Sequence, residues 1–283
     1  MFEDSNICNL LKKAGIFLKL KGISEPKSDT EVLLSFVLQI KRSKLFLIGS
    51  HKPTDKQTLQ YEEYILRRSN REPAAYITGF SGFMGFEFKV NKNVLIPRPE
   101  TEILVENVLN LPEKENRNSV LDLCTGSGCI AVSLAKLGRF KNITASDISS
   151  SALETAKENA KINNIATIDF VESNIFNKIN NKAFDIIAVN PPYVSYEEYN
   201  NLEPELKYEP KIALKAKDNG LFFYKEIAVK AGKYLKNNGY ITVELNANKC
   251  NLIKQIFLEN GYKNIEIIND YANLPRILKA KNG

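Results

Sequence analysis

Apolar residues recur at helical spacing through the first eighty positions. Ile7, Leu10, Leu11, Ala14 and Leu18 share one face and predict an opening helix that Gly22 stops. Val32, Leu33, Phe36, Val37 and Ile40 predict a second helix, with Asp29 as its cap. A third starts at Thr54 and runs to Arg67 and Arg68, where cations suit the carboxyl end of a helix dipole. Pro73 opens a further helical turn that Gly79 ends. The period then changes. Phe86, Phe88 and Val90 alternate, Asn91-Lys92-Asn93 supplies a turn, and Val94-Leu95-Ile96 follows, which predicts a β-hairpin closed by Pro97 and Pro99. From Ser119 onward short apolar runs alternate with amphipathic stretches. Strands are expected at 120–124, 143–147, 168–172, 184–190, 240–245, 265–268 and 276–279. Helices are expected at 130–137, 152–163, 221–235 and 249–260. The pattern divides the chain into a helical domain over 1–80, a hairpin linker over 81–99 and an α/β domain over 100–283. In the last, a mostly parallel sheet is covered on both faces.

Composition narrows the classes. The chain has 283 residues, 43% of them hydrophobic and 25% charged, so it is neither disordered nor a membrane protein. The longest apolar run, 32–40, contains Ser35 and Gln39 and falls far short of the ~18–20 residues of a membrane span. The start Met1-Phe2-Glu3-Asp4 has the wrong charge for a secretion signal. Cys8, Cys124, Cys129 and Cys250 form no Cys-x-x-Cys pair and fit free thiols in a reducing cytoplasm. A single histidine, His51, argues against His-based metal sites and Ser-His-Asp chemistry, so no metal is expected. The net charge of +6 admits an acidic or RNA-bearing partner without demanding one. Arg67, Arg68 and Arg71 either meet an acidic face of a partner or form a solvated helix end.

Val120-Leu121-Asp122-Leu123-Cys124-Thr125-Gly126-Ser127-Gly128 reads as a strand running into a glycine turn and then a helix. Such a turn lies at the carboxyl end of its strand, where doubly wound sheets bind ligands. Gly126 and Gly128 let a ligand approach the backbone, and the helix start offers free N–H groups. The next strand ends at Asp147, placed to accept ribose hydroxyls. A nucleoside cofactor such as NAD or S-adenosylmethionine fits, as does a plain strand–turn–helix with a capping Asp. Ile130-Ala131 where a third glycine would fall leans away from NAD. Asp122, unexpected in an apolar strand, could orient the loop or face an ammonium group.

The strand ending at Asn190 runs straight into Pro191-Pro192-Tyr193. Two prolines stiffen the exit and remove two N–H donors. The Asn190 side-chain oxygen and the Pro191 carbonyl remain as acceptors, and the Tyr193 ring can cover what lies between them. Such a pair suits an –NH₂ group whose lone pair is delocalised. Holding both hydrogens favours pyramidalisation and aims the lone pair at an electrophilic methyl. The alternative is a rigid strand exit with an Asx turn.

These residues are similar to those of the HemK/PrmC family, S-adenosylmethionine-dependent methyltransferases of the release-factor glutamine. The resemblance rests on Arg71-Glu72-Pro73-Ala74-Ala75-Tyr76-Ile77-Thr78-Gly79, Leu95-Ile96-Pro97-Arg98-Pro99-Glu100-Thr101-Glu102, the 122–128 loop, Asn190-Pro191-Pro192-Tyr193, Leu202-Glu203-Pro204-Glu205 and Tyr208-Glu209-Pro210. It covers nearly the whole chain. It implies a Rossmann-like class I methyltransferase domain with a seven-stranded mixed sheet, the last strand antiparallel. It implies that Cys124, Thr125, Gly126, Ser127 and Gly128 line the methionine end of the cofactor and that Asp147 holds its ribose; near the adenine Asn174-Ile175 replaces an often acidic or aromatic pair, and Ile175 can still pack on the ring face. Asn190 would stand between cofactor and substrate, with Asn190, Pro191, Pro192 and Tyr193 gripping the glutamine amide. Of these, Asn190, Pro191 and Tyr193 would carry the catalysis. The helical domain would dock the rest of a class I release factor. The family usually has Gly where Cys124 stands, which predicts a slightly less compact loop. Arg98, Glu100 and Glu102 either cap a helix or line the cofactor pocket.

The expected protein is a cytoplasmic monomer that uses no nucleic acid directly. Two other functions compete. An amino-methyltransferase of adenine or another nucleic-acid base must flip its target and needs a wide basic surface. No cluster of four or more basic residues is present to supply one. A non-catalytic S-adenosylmethionine-binding protein would have no need of an intact 190–193 tetrad.

Overall fold

The computed structural model describes residues 5–112, 118–138, 140–180 and 183–283. The chain splits into two units: Met1–Phe80 with Glu203–Tyr208, and Ser81–Leu202 with Glu209–Gly283.

The smaller unit holds α1 (Ile7–Leu20), α2 (Pro26–Leu38), α3 (Asp55–Ser69) and α4 (Ala74–Thr78). The α1 stripe packs into one core with Leu33, Leu34, Val37, Tyr61 and Ile65, whereas of the stripe expected on α2 Phe36 is exposed, Ile40 lies past the helix end and Leu34 turns inward instead. Thr54 closes a capping box with Gln57 and starts α3 as expected. The start of α2 differs from expectation. Pro26 sits in its first turn, where a fixed φ and a missing N–H cost nothing. Asp29 is therefore inside the helix, and its Oδ2 accepts from Arg68 Nε at 2.7 Å. Arg68 is buried and also donates to Glu205 Oε1 at 3.0 Å, while Arg71 reaches the same oxygen at 3.2 Å. Arg67 pairs with Glu72. These arginines are paired inside their own unit and form neither a free basic face nor a bare helix end.

The larger unit begins with a hairpin, β1 (Phe80–Phe83) and β2 (Phe86–Lys89). Its turn is Met84-Gly85, with φ of 51° and 78°, as a two-residue hairpin turn requires. The expected turn at Asn91-Lys92-Asn93 lies after the second strand instead. Asn91 Oδ1 accepts from Asn93 N–H at 2.9 Å and Asn91 Nδ2 reaches Thr155 Oγ1 at 3.1 Å, which directs the chain away from a second pairing. Val94-Leu95-Ile96 is consequently not a strand.

There follow α5 (Pro99–Leu109), β3 (Ser119–Leu123), α6 (Cys129–Leu137), β4 (Asn142–Asp147), α7 (Ser150–Ile162), β5 (Ile168–Glu172) and β6 (Phe184–Val189). Next come α8 (Tyr196–Asn200), α9 (Lys211–Leu214), α10 (Phe222–Ala231), β7 (Leu235–Glu244), α11 (Cys250–Glu259), β8 (Lys263–Asn269) and β9 (Pro275–Lys281). The helix expected over 221–235 stops at Ala231, because Leu235 already pairs with Phe184 as the first residue of β7.

The seven-stranded sheet runs in the order β5-β4-β3-β6-β7-β9-β8. The strands β3 to β7 pair in parallel, and β9 runs antiparallel between β7 and β8. One apolar cluster, with Leu121, Ile187, Tyr224 and Phe257, covers one part of the sheet. A second, with Val105, Ile130, Ile186 and Phe88, covers another. Asn159 of α7 fixes the hairpin: it accepts from Lys89 N–H at 2.6 Å and donates to Lys89 O at 2.9 Å. The same amide donates to Ser127 O at 2.8 Å, so hairpin and glycine loop share one anchor.

Candidate active site

Strand register brings three predicted residues together. Leu123 pairs with Ser146 on one side and with Val189 on the other. The next residues along the three strands are Cys124, Asp147 and Asn190, at neighbouring carboxyl ends. This is the switch point of the sheet, where β4 lies on one side of β3 and β6 on the other. A cavity of about 1040 Å³, counted out to its open mouth, lies above it. Cys124, Thr125, Gly126, Ser127, Asp147, Ile175, Asn190 and Pro192 line it. The predicted Gly128, Pro191 and Tyr193 are not among its lining residues.

The loop is held from within. Asp122 is fully buried; its Oδ2 accepts from the Thr125 hydroxyl and from Ala131 N–H at 3.1 Å. This carboxylate orients the turn and the start of α6. Its Oδ1 is buried and has no hydrogen-bond partner among the described residues. Burial pushes the Asp122 carboxyl up to about 7, against the pull of the Thr125 and Ala131 bonds. Gly128, at φ +80°, lies so close to α7 that a Cβ there would stand 2.9 Å from Ala156 Cβ. A Cβ at Gly126, by contrast, would meet nothing within 4 Å, so its backbone borders open space. Cys124 adopts φ 61°, the left-handed region that glycine occupies freely. Burial pushes the Cys129 thiol up to about 12 and the Cys124 thiol up as well, so neither is a ready thiolate.

Asp147 caps this end of the sheet. Oδ2 accepts from Gly126 N–H and Oδ1 from Ser149 N–H, each at 2.9 Å. Burial raises its pKa, and these backbone bonds oppose the rise. Beside it Ile148 and Ile175 give the cavity apolar wall. Ile175 stands at φ 51°, an unusual conformation for a β-branched residue, with its carbonyl accepting from Ser173 Oγ at 2.9 Å.

The segment before α5 supplies the opposite wall through Leu95, Pro97, Arg98 and Thr101. Glu209, itself buried, accepts from Ile96 N–H at 3.0 Å and from Arg98 Nη2. Of Arg98, Glu100 and Glu102, only Arg98 lines the cavity, and the two glutamates stand in the first turn of α5. Pro99 begins that helix, and Glu102 turns back to accept from Met84 N–H.

Sequence reasoning missed two residues. Asn190 Nδ2 donates to Thr101 Oγ1 at 3.2 Å, and Thr101 Oγ1 donates to Glu244 Oε2 at 2.6 Å. The other oxygen of Glu244 accepts from Tyr193 OH at 3.3 Å. Glu244 is buried, and burial raises its carboxyl to about 7 while the Thr101 and Tyr193 bonds pull down. The available signal was a glutamate closing the apolar run Ile241-Thr242-Val243, the same anomaly that marked Asp122.

A parallel sheet of this order, with one antiparallel strand beside its edge and a cavity at its switch point, defines a Rossmann-like class I methyltransferase. A methyltransferase from Pyrococcus furiosus shares the fold, with a TM-score of 0.55 at 19% identity over 78% of this chain and 98% of that one. Family profiles described as the PrmC N-terminal domain and the methyltransferase small domain match residues 9–79 and 99–207. Two relatives carry the name release factor glutamine methyltransferase. The one from Fusobacterium nucleatum is 37% identical, spanning 99% of this chain and 80% of its own. The one from Clostridium acetobutylicum is 38% identical, spanning 98% of this chain and 99% of its own. The chain belongs to the release factor glutamine methyltransferase family.

Proposed function

We propose that this chain transfers a methyl group from S-adenosylmethionine to the side-chain amide nitrogen of the glutamine in the Gly-Gly-Gln motif of class I peptide-chain release factors. The observation that carries this reading is Asn190, followed by two prolines, standing in a cavity it shares with the 124–127 loop and Asp147.

The residues present fit the cofactor. Each Asp147 oxygen accepts one backbone N–H and keeps a lone pair for a ribose hydroxyl. Ile148 and Ile175 offer an apolar bed for adenine. Open space at Gly126 admits the methionine chain close to the loop backbone. When bound, S-adenosylmethionine supplies an electrophilic methyl that needs no further activation. The work left to the protein is alignment, where positioning is worth up to ~7–11 kcal/mol. Asn190 oxygen and Pro191 carbonyl accept the two amide hydrogens and direct the nitrogen lone pair. Transfer would break the carbon–sulfur bond as the nitrogen–carbon bond forms, the sulfur leaving as a neutral thioether, and the nitrogen would give up one of its hydrogens as a proton. Tyr193, tied to Glu244, anchors the far end of the tetrad.

The helical unit docks the remainder of the release factor, a role supported by the exposed Leu20, Phe46 and Leu47. The chain acts as a monomer in the cytoplasm, with no nucleic-acid substrate. Labelled S-adenosylmethionine tests the reading with release factor and DNA side by side. Label should enter the release factor and be lost when its Gly-Gly-Gln glutamine is replaced. Label in DNA but not in release factor would overturn it.

A further inference from the structure

The strand ends that build the site also bring a buried carboxylate beside it. Val189 pairs with Val243, so Asn190 and Glu244 leave adjacent parallel strands side by side. Thr101, on the first turn of α5, bridges them. Both Thr101 and Glu244 are buried, at 2% and 3% exposure.

The chemistry of the bridge sets a direction. A threonine hydroxyl has one hydrogen and two lone pairs. Here the hydrogen goes to Glu244 Oε2 at 2.6 Å. Toward Asn190 the hydroxyl can therefore only accept, and the Asn190 amide must present its nitrogen, at 3.2 Å. The carboxamide oxygen is turned the other way, and among the described residues nothing donates to it. An amide flipped by half a turn would offer two hydrogens to an incoming –NH₂ group and repel it. Shape alone does not decide between the two orientations, since amide oxygen and nitrogen are nearly the same size. The same carboxylate takes the Tyr193 hydroxyl hydrogen on Oε1 at 3.3 Å. One buried anion thus orients the side chains at both ends of the 190–193 tetrad.

We propose that Glu244, acting through Thr101, fixes which end of the Asn190 amide faces the substrate, making Thr101 and Glu244 positioning residues for the methyl acceptor. The inference rests on the glutamine-methylation reading for its kinetic arm only.

The structural arm follows the side-chain amide protons of Asn190 by NMR, assigned by their loss in Asn190→Ala. Their solvent exchange should quicken about fivefold or more in Thr101→Val, the worth of one net hydrogen bond. Thr101→Ser should restore the slow exchange. In the kinetic arm, single-turnover methylation of release factor should fall by up to ~10²-fold in Thr101→Val, the scale of a misplaced reacting group. Cofactor affinity should stay within about twofold, and Thr101→Val should add nothing in an Asn190→Ala background. If Thr101→Val does not fold, Glu244→Gln makes the same test. Its amide can donate to Thr101 and release the hydroxyl hydrogen, so exchange should again quicken. Exchange indifferent to these changes, or rate losses that multiply with Asn190→Ala, would overturn the proposal. A wild-type protein that leaves release factor unmethylated would remove the functional reading, and the exchange data would still decide the bridge.

Discussion

Adding one methyl group at Gly128 should separate two costs that the glycine loop now avoids. The residue stands at φ +80°, and a side chain in left-handed backbone costs roughly 1–2 kcal/mol. The new Cβ of Gly128→Ala would also lie 2.9 Å from Ala156 Cβ and 3.2 Å from Ala156 Cα, in the interior of α7. Neither neighbour is the tip of a flexible chain, so the turn or the helix must move, at about 1–3 kcal/mol for overpacking of this kind. The sum is a destabilisation of about 2–5 kcal/mol. Urea unfolding of a four-member cycle with Ala156→Gly measures the parts. The Ala156→Gly change alone should cost about 1 kcal/mol of helix propensity. In its background Gly128→Ala should retain the backbone cost and lose most of the contact cost. A Gly128→Ala protein as stable as wild type would refute the reasoning, and so would a cycle with no coupling between the two sites.

Two further changes probe the chemistry. Asp147→Ala removes the acceptor of Gly126 and Ser149 N–H together with the proposed ribose partner. It should weaken S-adenosylmethionine binding by ~1.5–3 kcal/mol for each lost charge-assisted bond, read by calorimetry; unchanged affinity would count against the ribose role. Methyl transfer should rise with pH through about 7, because only ionised Glu244 takes hydrogens from both Thr101 and Tyr193; Glu100 and Arg276, the other charges acting on it, push its pKa up and down respectively. Glu244→Gln should flatten that limb, and a limb that survives the substitution excludes Glu244 as its source. Stability should move the opposite way. A carboxyl raised from 4.5 to about 7 by burial favours the protonated fold, so its contribution is complete below 4.5 and is lost as pH climbs to about 7. Asp122, raised from 3.8 to about 7, acts in the same sense, and urea titrations across this window should show the decline.

How much of this could be read in advance depended on whether a residue's role was local. Strands β3, β4 and β6 are buried on both faces, so their apolar runs stand out between turn signals. The glycine loop, Asp147 and Asn190 follow from those strands, because each sits at a strand end. The hairpin was misplaced because Gly82 breaks the alternation of its first strand, while Asn91 mimics a hairpin turn and serves α7 instead. Asp29 looked like a cap because its partner Arg68 lies 39 residues away. Thr101 and Glu244 were missed for the same reason: their bond spans 143 residues, and only the sheet register makes it short. Local pattern therefore located the pocket, whereas the groups that aim the side chains within it belong to tertiary structure.

The six residues Glu203–Tyr208 have a practical consequence. They count with the helices at the start of the chain, although the sequence around them belongs to the sheet unit. Deleting the first eighty residues would strip Glu205 of both its guanidinium partners and leave a carboxylate selected for a setting that no longer exists. Anyone exchanging the helical unit among relatives must accordingly transplant two separate stretches of polypeptide, because a chimera joined at a single splice point pairs Glu205 with foreign residues in place of Arg68 and Arg71.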